Sequence, residues 1–357
     1  MQRVTQDLRR FLADAGASED DIERAAREGW LPLLAIDRIL MPGKPVYDIV
    51  ELARAAGTDT ETARRVWRSL GFPDMPEGVA SFTDQDAEML SVAVARIDTE
   101  DAAQLFERQV RVISSSLARI AAVEADMIAE VLETIEEETG DAAATTAVLL
   151  ERLDWPVISR LVEYAHRLQL RAAVWRRLAR DVAGAKVEIG IGFVDLVGYT
   201  ALSEEIDDRS LAELLTRFEA LASDVVAEHS GRVVKTIGDE VMFAALSKEA
   251  ALIALDIVDR ASDDTALPPV RAGVASGPLI ARDGDFYGSA VNLASRVTDR
   301  ARPGTVLVSE SLKESLEGDA AFSWRSAGRR RLRGIGEVEL FRVRRAGGEP
   351  SGRPGLG

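Results

Sequence analysis

An all-α first half followed by an α+β second half is the fold class this sequence predicts, and three observations predict it. Up to about residue 184, apolar residues recur three and four apart, the period of a buried helix face. Beyond Gly184, runs rich in β-branched residues alternate with helical segments, the pattern of a sheet with helices on one face. The length of 357 residues suits about two domains.

Ser18-Glu-Asp-Asp-Ile starts a helix with a capping serine and an acidic first turn, and Gly29 closes it. Tyr47 to Ala56 and Thr60 to Leu70 are two short helices around a turn at Gly57, the second stopped by glycine and Pro73. Thr99 to about Glu138 is one long helix ended by Gly140. Phe106, Val110, Ile113, Leu117, Ile120, Met127 and Val131 form a single apolar stripe along it. A further helix runs from Trp155 to about Arg180. Leu161, Tyr164, Leu168, Trp175, Leu178 and Val182 repeat on it as heptads interrupted by Arg171, which fits pairing with another helix or packing within the monomer.

In the second half, Val187–Leu196 and Arg232–Ala245 read as strands, the latter folded into a hairpin at Ile237-Gly238-Asp239-Glu240. A helix lies between them from about Ser210 to His229. Val270–Ile280 is a strand, Ala290–Arg300 a helix, and Thr305–Ser309 and Val338–Val343 short strands. The Gly/Pro-rich tail from Ala346 to Gly357 reads as disordered.

Composition narrows the function classes. The chain has no run of about 18 apolar residues and no apolar leader, so neither stable membrane insertion nor secretion is expected. It has no cysteine, which excludes disulfides and thiolate metal sites and suits a cytoplasmic location. A net charge of −16 opposes nucleic acid and anionic lipid. An anionic nucleotide would therefore need metal ions and a few well-placed cations.

Five groups of residues stand out. Asp195 lies in Phe-Val-Asp-Leu-Val-Gly-Tyr-Thr (193–200) and Asp239 in Lys-Thr-Ile-Gly-Asp-Glu (235–240). Lys235 opens that second motif, and Asp285 stands seven residues before Asn292 in Ala-Val-Asn-Leu-Ala-Ser-Arg (290–296). Arg333 follows in Leu-Arg-Gly-Ile. Carboxylates at neighbouring strand ends are hard oxygen donors suited to divalent cations. A lysine and a carboxylate together match the acceptor N1 and donor N6 of adenine, whereas guanine reverses that pattern. Asn292 and Arg296, four apart, share one helix face. Amides of the turn Val197 to Thr200 can point at phosphates.

Over residues 186–345 these motifs resemble the class III nucleotidyl cyclases. The resemblance implies a ferredoxin-like, palm-like fold and conversion of ATP to 3′,5′-cyclic AMP and pyrophosphate. It implies two divalent cations per site, Mg²⁺ or Mn²⁺, on Asp195, Asp239 and the carbonyl of Leu196. Lys235 and Asp285 would select adenine, Asn292 orient the ribose and Arg296 brace the α-phosphate. Thr200 and Arg333 would hold phosphates, Arg333 standing where the family has a lysine. Tyr199 replaces the usual phenylalanine. One chain holding both half-sets implies a head-to-tail homodimer with two shared sites.

Residues 1–154 resemble the helical regulatory domain of some actinobacterial adenylate cyclases, with 155–185 as the transmission element. The resemblance implies a proton or fatty-acid effector, and His166 on that element is a candidate sensor. His229 reads as a helix C-terminal residue favoured by the dipole.

Two competing readings remain. Tyr47–Pro73 looks like the helix-turn-helix of mercury-resistance-type regulators, with Arg64, Arg65 and Arg68 towards a groove, although Asp48, Glu51, Asp59 and Glu61 oppose phosphates. A diguanylate cyclase would need Gly-Gly-Asp/Glu-Glu-Phe where this hairpin has Ile-Gly-Asp-Glu-Val.

Overall fold

Polar caps set the helix starts of the first half. In the computed structural model, which describes residues 6–97, 99–152, 154–183 and 188–347, Ser18 accepts from the amide of Asp21 and Asp48 forms a capping box with Glu51. Thr83 and Asp86 form a second box, and Thr99 caps the longest helix. The chain divides into two units, residues 1–175 and 176–357.

The first unit contains α1 (Gln6–Asp14), α2 (Glu19–Glu28), α3 (Leu31–Leu40), α4 (Ile49–Ala55), α5 (Thr60–Ser69), α6 (Asp84–Val94), α7 (Glu100–Thr139) and α8 (Ala142–Arg152); α9 (Trp155–Ala183) begins in it. Leu8, Leu12, Ile22, Leu31 and Leu34 form one small core over α1–α3. Ile49, Leu52, Val66, Phe82 and Leu90 form another over α4–α6. Gly140 ends α7 in the left-handed conformation, φ 62°, as its sequence predicts.

The apolar stripe of α7 does not enter a core. Ile113, Leu117, Ile120, Met127 and Val131 are exposed, and the described buried residues of the helix are Ala103 and Ile135. The seam of α9 is likewise open: Leu161 is 65%, Tyr164 60% and Trp175 69% exposed. Within the first unit these residues of the seam are not packed. The side chains of Leu178 and Val182 lie outside the described residues. No helix of the described residues is long and apolar enough to cross a membrane.

In the second unit follow β1 (Ile189–Leu196), α10 (Tyr199–Glu205), α11 (Asp208–Glu228), β2 (Arg232–Ile237), β3 (Glu240–Leu246), α12 (Ser247–Asp263), β4 (Val270–Ser276), β5 (Ile280–Arg282), β6 (Asp285–Tyr287), α13 (Ser289–Thr298), β7 (Val306–Ser309), α14 (Glu310–Ser315), β8 (Phe322–Leu332) and β9 (Gly336–Arg345). Seven strands make one sheet in the order β2-β3-β1-β4-β7-β9-β8, antiparallel except for the β4–β7 pair. β5 and β6 form a separate ribbon.

Helices cover both faces, which corrects the expectation of one. Val194, Phe243, Val274 and Val308 pack with α11, α12 and α14. Ile191, Phe193, Met242 and Ala275 pack with α13 on the other face. A glycine explains that second layer. A Cβ on Gly273 would lie 2.2 Å from the Thr298 amide and 2.8 Å from the Ala294 carbonyl, so only glycine lets α13 approach this closely. The single long strand expected over Val270–Ile280 ends at Ser276, and the chain turns into the β5–β6 ribbon. From residue 348 the expected disordered tail lies outside the described residues, as does Val187, the expected first residue of β1.

Candidate active site

Strand alternation places the acidic residues on the α13 face. Asp195, one residue from the end of β1, is paired in register with Glu240 of β3 and Arg271 of β4. Asp239 occupies the two-residue turn between β2 and β3, where Gly238 takes φ 62° at the first central position. The amide of Leu196 donates to the Asp239 carbonyl at 3.4 Å, which ties the hairpin turn to the end of β1. Asp195 and Asp239 are thus brought together.

Their electrostatics are those of crowded carboxylates. The Asp239 carboxyl is pushed up to about 6, first by burial and then by a hydrogen bond and charge repulsion from Asp195. Glu240 is pushed up to about 7 by burial and then by Asp195, Asp299 and Asp239. Arg271 offsets this, its Nε lying 2.8 Å and its Nη2 2.5 Å from Asp195 Oδ2. It also donates to the Asp299 carbonyl at 3.3 Å. Two carboxylates and a backbone carbonyl form a donor set that suits hard divalent cations. No three His, Asp or Glu side chains of the described residues converge as ligands, so the fit rests on those two side chains and the Leu196 carbonyl.

The Asp239 shift has a measurable sign. Its pKa in the folded chain is above the ordinary 3.8, so folding favours the protonated form. The stability this group allows is present below about pH 4 and lost as pH rises through about 6. In EDTA, Asp239→Asn is therefore expected to gain melting temperature over wild type as pH rises from about 4 to about 7. A difference that stays flat across that range would rule out the carboxylate crowding.

Lys235 and Asp285 also meet. A β-bulge between Val233 and Lys235 re-aims the strand, and Lys235 Nζ lies 2.7 Å from Asp285 Oδ2. Burial alone would raise the Asp285 carboxyl. The Lys235 ammonium and the Phe286 amide outweigh it, so its pKa lies below the ordinary carboxylate value. Asp285 opens β6 after a two-residue turn in which Asp283 (φ 53°) and Gly284 (φ 81°) both take positive φ. Arg232 bonds the Gly284 carbonyl at 2.8 Å and lies 5.1 Å from the Phe286 ring centroid, which fixes this ribbon against β2.

The remaining candidates do not converge on these two pairs through contacts of their own. Asn292 and Arg296 are exposed on α13, and Arg296 Nη1 pairs with Asp299 Oδ2 at 3.1 Å. Thr200 is exposed in the first turn of α10, behind Gly198 at φ 82°. Arg333 sits at the β8–β9 turn in a ≈ 540 Å³ depression that it shares with Arg300. His166 is exposed on α9. His229 caps α11 as expected, its Nε2 2.6 Å from Asp256 Oδ2.

Sequence reasoning missed Arg271 and Glu240. Each is a charged residue whose strand neighbours on one face are apolar, in Val-Arg-Ala-Gly-Val and Glu-Val-Met-Phe. A register drawn between the strands would have placed both beside Asp195.

A family model described as the adenylate and guanylate cyclase catalytic domain matches residues 182–345. An adenylate cyclase of Glutamicibacter nicotianae is 32% identical over 343 residues, covering 89% of this chain and 83% of that protein. A pH-sensitive adenylate cyclase of Mycobacterium tuberculosis (strain CDC 1551 / Oshkosh) is 35% identical over 354 residues, covering 94% of this chain and 86% of that protein. Among solved structures, the adenylyl cyclase CyaB from P. aeruginosa is 23% identical and covers 48% of this chain and 97% of its own, with a TM-score of 0.39.

Proposed function

The chain belongs to the family of adenylate and guanylate cyclases, and from this premise we propose that it converts ATP to 3′,5′-cyclic AMP and pyrophosphate at two sites shared across a homodimer. The ribose 3′-oxygen attacks the α-phosphate, the bond to pyrophosphate breaks, and the hydroxyl proton leaves to solvent. Asp195, Asp239 and the Leu196 carbonyl would hold two Mg²⁺ or Mn²⁺ ions, which supply charge neutralisation and a more acidic hydroxyl when bound. Lys235 donates to adenine N1 and Asp285 accepts from the N6 amino group. From the same subunit, Asn292 orients the ribose and Arg296 faces the charge that builds on the α-phosphate. Thr200 and Arg333 bind phosphates, the first with the amides of its turn.

The observation that carries the substrate reading is the Lys235–Asp285 pair, fifty positions apart in sequence and 2.7 Å apart in space. Guanine would leave both groups facing a like partner. Purified chain with Mn²⁺ is expected to form cyclic AMP from ATP and little cyclic GMP from GTP. Lys235→Ala should lower kcat/KM for ATP by about 10- to 100-fold, the cost of one unpaired buried partner. Equal turnover of GTP, or a silent Lys235→Ala, would refute the adenine role.

The domain reading is that residues 1–154 regulate, 155–185 transmit and 186–345 catalyse. The exposed seam of α9 supports pairing with a second copy of the helix, since an aqueous helix with Leu161, Tyr164, Leu168 and Trp175 uncovered gains most by burying them. A proton or fatty-acid effector belongs to the same proposal, with the exposed His166 on α9 as its candidate sensor. Pairing with carboxylates weakens the DNA-binding alternative. Arg64 Nη2 lies 2.8 Å from Glu77, Arg65 Nε 3.1 Å from Glu107 and Arg68 Nη2 3.1 Å from Glu61.

A further inference from the structure

Four arginines gather at the β7–β9–β8 end of the sheet. Arg342 of β9 stands directly opposite Arg325 of β8, and Arg344 is two residues along β9 on the same face. Arg302, in the turn after α13, adds its charge to theirs. None of the four meets a carboxylate at ion-pair distance among the described residues, whereas the next residue, Arg345, pairs with Asp256 and Asp259. The Nε of Arg342 is buried with no hydrogen-bond partner. Burial, and then Arg344, Arg325 and Arg302, hold its guanidinium below the usual arginine range.

This arrangement works against the fold. Like charges directly opposite across strands repel, and a buried donor without a partner carries a desolvation cost. Glu337 and Glu339 of β9 alternate with Arg342 along the strand and so point to the opposite face. Arg302, Arg325 and Arg344 are exposed to solvent, and guanidinium forks from three neighbouring segments match a compact, multiply charged phosphate better than a single charge.

The patch shares its sheet face with Asp195. Phe193, Gly273, Leu307 and Arg342 form one register row across β1, β4, β7 and β9, and Asp195 lies two residues beyond Phe193 on the same face. Three strand spacings separate the ends of that row, about 14 Å. We propose that Arg302, Arg325, Arg342 and Arg344 form a second anion site, distinct from the nucleotide site, that takes a di- or triphosphate group: free pyrophosphate or the phosphate tail of a nucleotide. The pyrophosphate occupant rests on the cyclase reading; the site itself does not.

Calorimetric titration of the full chain in EDTA tests this, with inorganic pyrophosphate, ATP and sulfate at matched ionic strength. Wild type is expected to bind pyrophosphate, and the Arg325→Gln/Arg342→Gln chain to bind it at least about tenfold more weakly. Without ligand, the double variant should melt no lower than wild type, since repulsion has been removed, and pyrophosphate should raise the melting temperature of wild type alone. ATP bound more weakly than pyrophosphate supports the free anion, and ATP bound as tightly supports the phosphate tail. Absence of binding to wild type, equal binding by both chains, or sulfate binding as tight as pyrophosphate overturns the site. Failure to form cyclic AMP would remove the cyclase reading while leaving these isotherms interpretable.

Discussion

Asp239→Ala is expected to lower kcat by about a thousandfold or more while leaving the fold intact. Loss of one of the two proposed carboxylate ligands would remove several kcal/mol of charge stabilisation from the transition state, and each 1.4 kcal/mol is a factor of ten. A merely structural turn residue would behave in the opposite way. Gly238, with its positive φ, sets the turn between the paired strands. Burial first, and then the hydrogen bond and charge of Asp195, push the pKa of Asp239 up to about 6 and so disfavour its ionised form in the folded chain. Removing it should therefore spare or raise stability at neutral pH while abolishing activity. Activity assayed with Mn²⁺, alongside a melt in EDTA, separates the two roles. Retained turnover in Asp239→Ala would sink the metal assignment. Lost turnover accompanied by a collapsed melt would return the residue to a structural part.

What was readable in the sequence, and what was not, divides along local and non-local signals. The β2–β3 hairpin and the long helix closed by Gly140 rest on turn and cap residues whose effect is felt within a few positions. They stand where their residues predict. The Asp195–Asp239 and Lys235–Asp285 pairs were anticipated through motifs, and the structure joins each. α12 was not read, because Ala250 to Val258 is apolar on nearly every position and follows the apolar strand β3 with neither glycine nor proline between. Periodicity cannot divide a buried strand from a buried helix in such a run. The β5–β6 ribbon carries a local signal, Asp283-Gly284 between two short runs, which lies beyond the strand expected over Val270–Ile280. The second helical layer depends on the fit of Gly273 against α13, and the role of Arg271 depends on strand register. Both are properties of pairing between distant segments, which composition and spacing do not encode.

A second experiment bears on the assembly. Asp195→Ala and Arg296→Ala chains, each nearly inactive alone, are expected to regain activity when mixed. The proposed site takes its carboxylates from one subunit and its α13 arginine from the other. A mixed dimer then has one site with both lesions and one with neither. Random exchange at equal concentrations makes about half the dimers mixed, each with one intact site of two, so about a quarter of wild-type activity should return. Two features of the single chain make this more than bookkeeping. Arg296 is tied to Asp299 rather than to the carboxylate pair, and Lys235 is spent on Asp285. Among the described residues, then, no hydrogen bond or ion pair joins Lys235, Asp285 or Arg296 to Asp195 or Asp239 within one subunit. The open seam of α9 gives the second subunit a reason to bind: Leu161 and Trp175, fourteen residues apart, sit on the same helix face two heptads from each other. Replacing both with Glu should weaken dimers and abolish the rescue without touching any site residue. If mixing restores nothing while sedimentation shows mixed dimers, the sites are not shared. If each single variant keeps its activity, the carboxylate and arginine roles fail before assembly enters the question.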